Sequence, residues 1–129
     1  KATAAHVYCL QGRLRGERYA RHWYDLAALA RSVHYENSVS DRALALAVAR
    51  HKSVFFAEKD AAGNRIDYNQ AVTGTLQLVP AGEPLKALER DYSAMLEDGL
   101  LSGVQPSFAE LMELCRAIEQ RLHSEYPKA

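Results

Sequence analysis

Cysteine is scarce in this chain. Its two thiols, Cys9 and Cys115, lie far apart in sequence. Neither belongs to a Cys-x-x-Cys pair or a Cys/His cluster with metal-ligand spacing, so a structural zinc is not expected. Each sits inside an apolar helical pattern, where cysteine behaves as a small buried hydrophobe, and both are read as reduced core residues of a cytoplasmic protein. Long hydrophobic runs are missing too. No stretch approaches the roughly 18 apolar residues that cross a bilayer, and no signal-peptide pattern opens the chain, so no membrane partner is expected. Charge of one sign is not in excess: 16 Lys and Arg balance 16 Asp and Glu, which gives the chain as a whole no electrostatic case for nucleic acid. Familiar catalytic signatures are also absent, with no GxGxxG, Walker loop, GxSxG or HExxH. No two carboxylates are spaced as Asp-x-Asp. The sequence therefore offers no clamp of the kind that holds Mg²⁺ and a triphosphate in nucleotidyl or phosphoryl transfer.

What the chain does have is helical periodicity. Its 129 residues, 48% apolar and 25% charged, suit one compact domain over 1–129. A first helix runs over about Lys1–Gln11 and ends at the glycines Gly12 and Gly16. A second spans about Arg18–Val33, with Trp23, Leu26, Ala27, Ala30 and Val33 on its apolar face. Glu36-Asn37-Ser38 reads as a polar turn. Ser40 caps a third helix, with Asp41 in its first turn. That helix carries Leu44, Leu46 and Val48, then Val54, Phe55 and Phe56, and its alanines let another helix approach. Asp60–Asn64 is a loop. Thr73–Val79 alternates weakly and reads either as a short strand without a partner or as an extended segment lying on helices. A fourth helix begins at Pro84 and shows Leu85, Leu88, Tyr92, Met95 and Leu96 on one stripe. Ser107-Phe108-Ala109-Glu110 is a capping box opening a last helix of Leu111, Leu114, Cys115, Ile118 and Leu122. The expected fold is mainly α, about five helices, with one extended segment near 73–79.

The segment Arg18-Tyr-Ala-Arg21-His22-Trp23-Tyr24-Asp25-Leu26 is the most informative. On a helix, Arg18, Arg21 and Asp25 share one face, opposite the apolar anchor. Such a row suits phosphate binding, and it equally suits an ordinary amphipathic helix. Arg13, Arg15, Arg18 and Arg21 form a local basic stretch, for which a solvated loop and helix start is the plainer explanation. Lys52 could neutralise a phosphate, or it could meet the carbonyls ending its own helix. Arg116 and His123 have the spacing of a helical ribonuclease pair, an arginine for the phosphorane and a histidine for proton transfer. Chance explains that spacing better. Asp91, in mid-helix, is expected to play a structural role by pairing with a base on another helix.

Taken in order, Lys1-Ala, Arg21-His-Trp-Tyr-Asp25-Leu, His51-Lys52-x-x-Phe55-Phe56, Asp91-Tyr92-x-x-Met95 and Pro106-Ser107-Phe108-x-Glu110 give the chain a family likeness. It resembles the C-terminal helical half of the AbiEii-type nucleotidyltransferases, bacterial toxins of toxin–antitoxin and abortive-infection systems. The resemblance implies an upstream polymerase-β-like nucleotidyltransferase domain supplying a Gly-Ser loop and metal-binding aspartates. It fits a chain that starts within a helix, as if cut from a longer protein. It further implies that Lys1, Arg21 and Lys52 bind nucleotide and that Asp25 is catalytic, either orienting Arg21 or acting as a base. His22 stands where the family more often has aspartate. Mg²⁺ and a nucleoside triphosphate are expected of the parent enzyme, and no cofactor or metal ligand of this chain's own. The implied partners are the upstream domain, an antitoxin protein and an RNA acceptor. Two other functions stay open: an interaction domain whose charged helix is only structural, and a ribonuclease using Arg116 and His123.

Overall fold

The computed structural model describes residues 1–101, 103 and 105–126. Among these the chain forms six α-helices: α1 Ala2–Gln11, α2 Arg21–Ala30, α3 Tyr35–Ser40, α4 Arg42–Phe55, α5 Glu83–Glu97 and α6 Phe108–Glu125. A 3-10 helix covers Tyr68–Val72, and the described residues hold no strand. The protein is mainly α, as its periodicity predicts. No helix among the described residues is long and apolar enough to cross a membrane.

Burial follows the helical stripes. Tyr8 from α1, Trp23 and Leu26 from α2, Leu88, Tyr92 and Met95 from α5, and Leu111, Cys115 and Ile118 from α6 close into one core. A second, smaller cluster joins Val7 of α1 to Ala49 of α4 and to Ile66, Tyr68 and Val72 around the 3-10 helix. Three helix ends are set as the sequence indicates. Ser107 Oγ accepts from the Glu110 amide at 3.1 Å. Pro84 occupies the first turn of α5. Gly12 ends α1 at φ 76°, a left-handed conformation, and an added Cβ would come within 3.2 Å of Pro84.

Two expectations need correcting. First, α2 is shorter than about Arg18–Val33. It ends at Ala30, where Ser32 Oγ donates to the Leu29 carbonyl and accepts from the His34 amide, a local alternative to the helical ladder. Val33 is left 89% exposed. Second, the polar turn at 36–38 lies within a helix, α3, and α4 is capped by Asp41, which accepts from the Leu44 amide at 3.0 Å, rather than by Ser40. Most of the apolar residues of α4 face outward. Leu44, Leu46, Val48, Val54, Phe55 and Phe56 are all exposed, and of the helix only Ala49 is buried. Of the two readings of 73–79, the extended segment lying on helices is the one the structure shows, with Leu76 and Leu78 in the core and no strand. Its backbone groups are taken by side chains: Trp23 Nε1 donates to the Leu78 carbonyl at 2.7 Å, His6 Nδ1 accepts from the Gln77 amide, and Glu119 accepts from the Val79 amide. A segment whose polar backbone is satisfied this way needs no partner strand, so it lies across the helices.

Candidate phosphate-binding site

The site is built on the first turn of α2, and α5 places that turn. Ala20, at the N-cap of α2, offers no side-chain acceptor, and the first amides of the helix, those of Arg21, His22 and Trp23, donate instead to the carbonyls of Arg18, Tyr19 and Ala20. The turn that supplies those carbonyls is itself held by Asp91 of α5 from across the core. Its two carboxylate oxygens accept from the backbone amides of Arg18 at 2.8 Å and Ala20 at 2.7 Å. Asp91 is therefore structural, as expected, but its partners are amides rather than a basic side chain. Nothing in its own sequence neighbourhood signals this. Arg18 has φ 63°, in the left-handed region, the only described non-glycine residue with a positive φ, and its guanidinium is paired with Asp98. Arg18 therefore lies outside α2 and does not share a helical face with Arg21 and Asp25.

Past this turn, α2 places His22 and Asp25 against the start of α1. Asp25 Oδ2 accepts from Lys1 Nζ at 3.0 Å. Both side chains are partly exposed, and such a pair contributes about 0–1 kcal/mol, little enough for an incoming anion to recruit the lysine. Asp25 is thus engaged with Lys1 and not with Arg21. Arg21 is exposed and makes no ion pair among the described residues. His22 lies between these groups with its Nδ1 buried and without a hydrogen-bond partner. Burial first, then the positive charges of Lys1 and the α-amino group, hold its pKa down at about 4. Asp25 pulls the other way and Lys52 adds to the lowering. His22 is neutral at pH 7 and adds no charge to the cluster.

Lys52, near the end of α4, belongs to the same neighbourhood. Its ammonium stands 4.7 Å from the centroid of the Phe56 ring and has no carboxylate partner among the described residues. The structure thus gathers Lys1, His22, Asp25 and Lys52, with Arg21 free on the same helix. Sequence reasoning missed Tyr19, whose ring packs edge-on to His22 at 4.6 Å. It also missed the Arg15–Glu58 ion pair nearby. Both lie in the loop regions that periodicity cannot place.

Other positions lie apart from this cluster. His123 Nε2 is 2.8 Å from the Leu76 carbonyl, while Arg116 is exposed on α6. Cys9 and Cys115 are free thiols that burial pushes up to about 12, so neither is a thiolate near neutrality. Among the described residues no group of three or more His, Cys, Asp or Glu is placed to hold a metal ion. The single carboxylate at the cluster, Asp25, is engaged with an ammonium, so these residues do not form a Mg²⁺ ligand set.

Residues 1–114 match the family model described as Nucleotidyl transferase AbiEii toxin, Type IV TA system. The chain belongs to the AbiEii toxin family. The match takes in α1 through α5 and the start of α6, and so the whole of the Lys1–Asp25–Lys52 cluster. No curated protein and no solved structure matches this AbiEii-family chain.

Proposed function

We propose that this chain is the helical part of an AbiEii nucleotidyltransferase and that it completes the enzyme's nucleotide or acceptor site. In this role Lys1, Arg21 and Lys52 meet the phosphates, and Asp25 is the catalytic carboxylate of this half, holding Lys1 in place beside the reacting groups. The observation that carries the reading is the cluster itself. Lys1, paired with Asp25, and Lys52, without a carboxylate partner, stand around His22, and Arg21 is exposed and unpaired among the described residues on the first turn of α2. Uncommitted ammonium and guanidinium groups held by packed helices suit a polyanionic triphosphate. Mg²⁺ and its carboxylates belong to the other half of the enzyme, a nucleotidyltransferase domain that is this chain's principal partner. An RNA acceptor and an antitoxin are its further partners, all in the cytoplasm.

The test has two parts. The 129-residue chain alone should transfer no nucleotide, and measurable transfer would sink the reading. In the parent enzyme, Arg21→Ala and Asp25→Ala should each lower transfer by about 100-fold or more, as loss of a transition-state charge contact does, without changing the helical circular dichroism. A second reading, an interaction domain, is favoured by the exposed apolar face of α4. It wins if both variants keep full activity while partner binding fails.

A further inference from the structure

A cavity of about 160 Å³ opens beside the cation cluster, between α1, the C-terminal end of α4 and the 3-10 helix, with Thr3, Tyr19, Lys52, Phe56 and Tyr68 among its walls. Of its nine lining residues three are aromatic, two are cations and one is a carboxylate. On the remaining side the Arg15–Glu58 pair lines the cavity. Glu58 also accepts from Gln11 Nε2 at 3.1 Å, so its charge is doubly engaged and the wall is polar without being strongly charged. Tyr68 is fixed by donating its hydroxyl hydrogen bond to the Phe56 carbonyl at 2.6 Å, which holds the floor and the Phe56 backbone together.

The cavity and the cluster are contiguous. Lys52 lines the cavity and stands over the Phe56 ring. Tyr19 lines it too, and its ring packs on His22. Thr3 lies two residues after Lys1, on the same turn of α1. Space of this size accepts one flat ring, on the scale of a benzene molecule in a cavity of about 150 Å³. It is too small for a whole nucleotide, whose sites run to roughly 300 Å³ and more. Aromatic walls favour a flat π-system, since base–aromatic stacking does not depend on the identity of the base.

Resting on the phosphate-binding reading above, we infer that this cavity is a base subsite: it takes the ring of a nucleoside triphosphate whose phosphates lie on Lys52, Lys1 and Arg21. Phe56 supplies a stacking face and Lys52 turns its ammonium from that ring to the phosphates.

Equilibrium binding of the 129-residue chain separates the two contributions. The probes are CTP, UTP, ATP, GTP and inorganic tripolyphosphate, which has the charge and no base. The best-bound nucleotide should bind at least tenfold more tightly than tripolyphosphate. Phe56→Ala changes a half-exposed side chain and should leave the circular dichroism intact. It should remove that tenfold advantage without altering tripolyphosphate affinity. Lys52→Ala should weaken both probes. Tripolyphosphate binding with no nucleotide advantage overturns the base subsite and leaves the cation cluster standing. No binding of either probe overturns both. If a short oligoribonucleotide binds more tightly than every triphosphate and loses affinity with Phe56→Ala, the ring belongs to the acceptor's terminal base, and the assignment to a triphosphate is wrong.

Discussion

Asp91 shows how much one buried carboxylate can govern. Two amides at the head of α2 have it as acceptor, and the turn they belong to holds Arg18 in a left-handed conformation. Such a conformation costs a non-glycine residue about 1–2 kcal/mol, which the Asp91 acceptors and the Arg18–Asp98 pair offset. Asp91→Ala should strand both donors and destabilise the protein by about 3 kcal/mol, read as a shift in the urea midpoint at constant m-value. Asp91→Asn keeps one acceptor oxygen and should cost about 1 kcal/mol. Equal losses for the two variants would mean that packing, and not capping, is the role of Asp91. Because α2 also carries Arg21, His22 and Asp25, the Ala variant should additionally loosen the Lys1–Asp25 contact, while the Asn variant preserves it.

Among the elements, α4 sets its sequence pattern furthest from its packing. Its alternating Leu and Ala residues promise a close approach at the alanines, and Ala45 and Ala49 are the residues that pack on the second cluster, while Phe55 is 69% exposed and Leu44 59% exposed. Small side chains let α4 lie close on the 3-10 helix, and the larger ones are then forced outward. Val48→Glu should therefore change stability by no more than about 0.5 kcal/mol, as surface substitutions do. Ala49→Leu, which overpacks a closed contact, should cost about 1–3 kcal/mol. Paired thermal melts check both, and a large loss for Val48→Glu would place that residue in an interface that the isolated chain already forms. This helix also marks where the sequence was legible and where it was not. Periodicity and caps located α5 and α6 and their buried stripes, because each lies on the core by one face and local signals such as Ser107–Glu110 bound it, whereas α1 is buried between both clusters. Periodicity could not say which face of α4 would be covered, since that depends on Ile66, Tyr68 and Val72 arriving from elsewhere. The same limit applies to the site. Lys1, Asp25 and Lys52 were identifiable as charged groups in an ordered set of motifs, but the Lys1–Asp25 pairing, the Asp91 cap and the Tyr19 wall are contacts between distant segments that no local pattern encodes.

For the molecule as a whole, the core is closed by backbone groups that meet side chains, and one of these is a histidine. His6 is fully buried. Its Nδ1 accepts from the Gln77 amide at 2.9 Å, tying α1 to the 73–79 segment, and its Nε2 has no hydrogen-bond partner. Burial lowers its pKa from 6.5 to about 4. An imidazolium could not accept the Gln77 hydrogen bond and would place a charge in the core. The sign follows directly. Between pH 6.5 and about 4 the unfolded chain binds a proton that the folded chain refuses, so stability is complete above pH 6.5 and falls as pH drops through this window. The loss attributable to His6 is at most about 3 kcal/mol. His22, also lowered to about 4 chiefly by burial, acts in the same direction and by less, being half-exposed. Urea denaturation at pH 7.5, 6.0 and 4.5 should show this decline. His6→Gln should lower stability at pH 7.5 and flatten the dependence between pH 6.5 and 4.5, because glutamine can accept from the Gln77 amide and does not titrate. If the variant retains the full acid slope, the dependence lies in a carboxylate such as Glu36, which Arg121 holds below its ordinary value, and His6 is not the group that couples folding to protons.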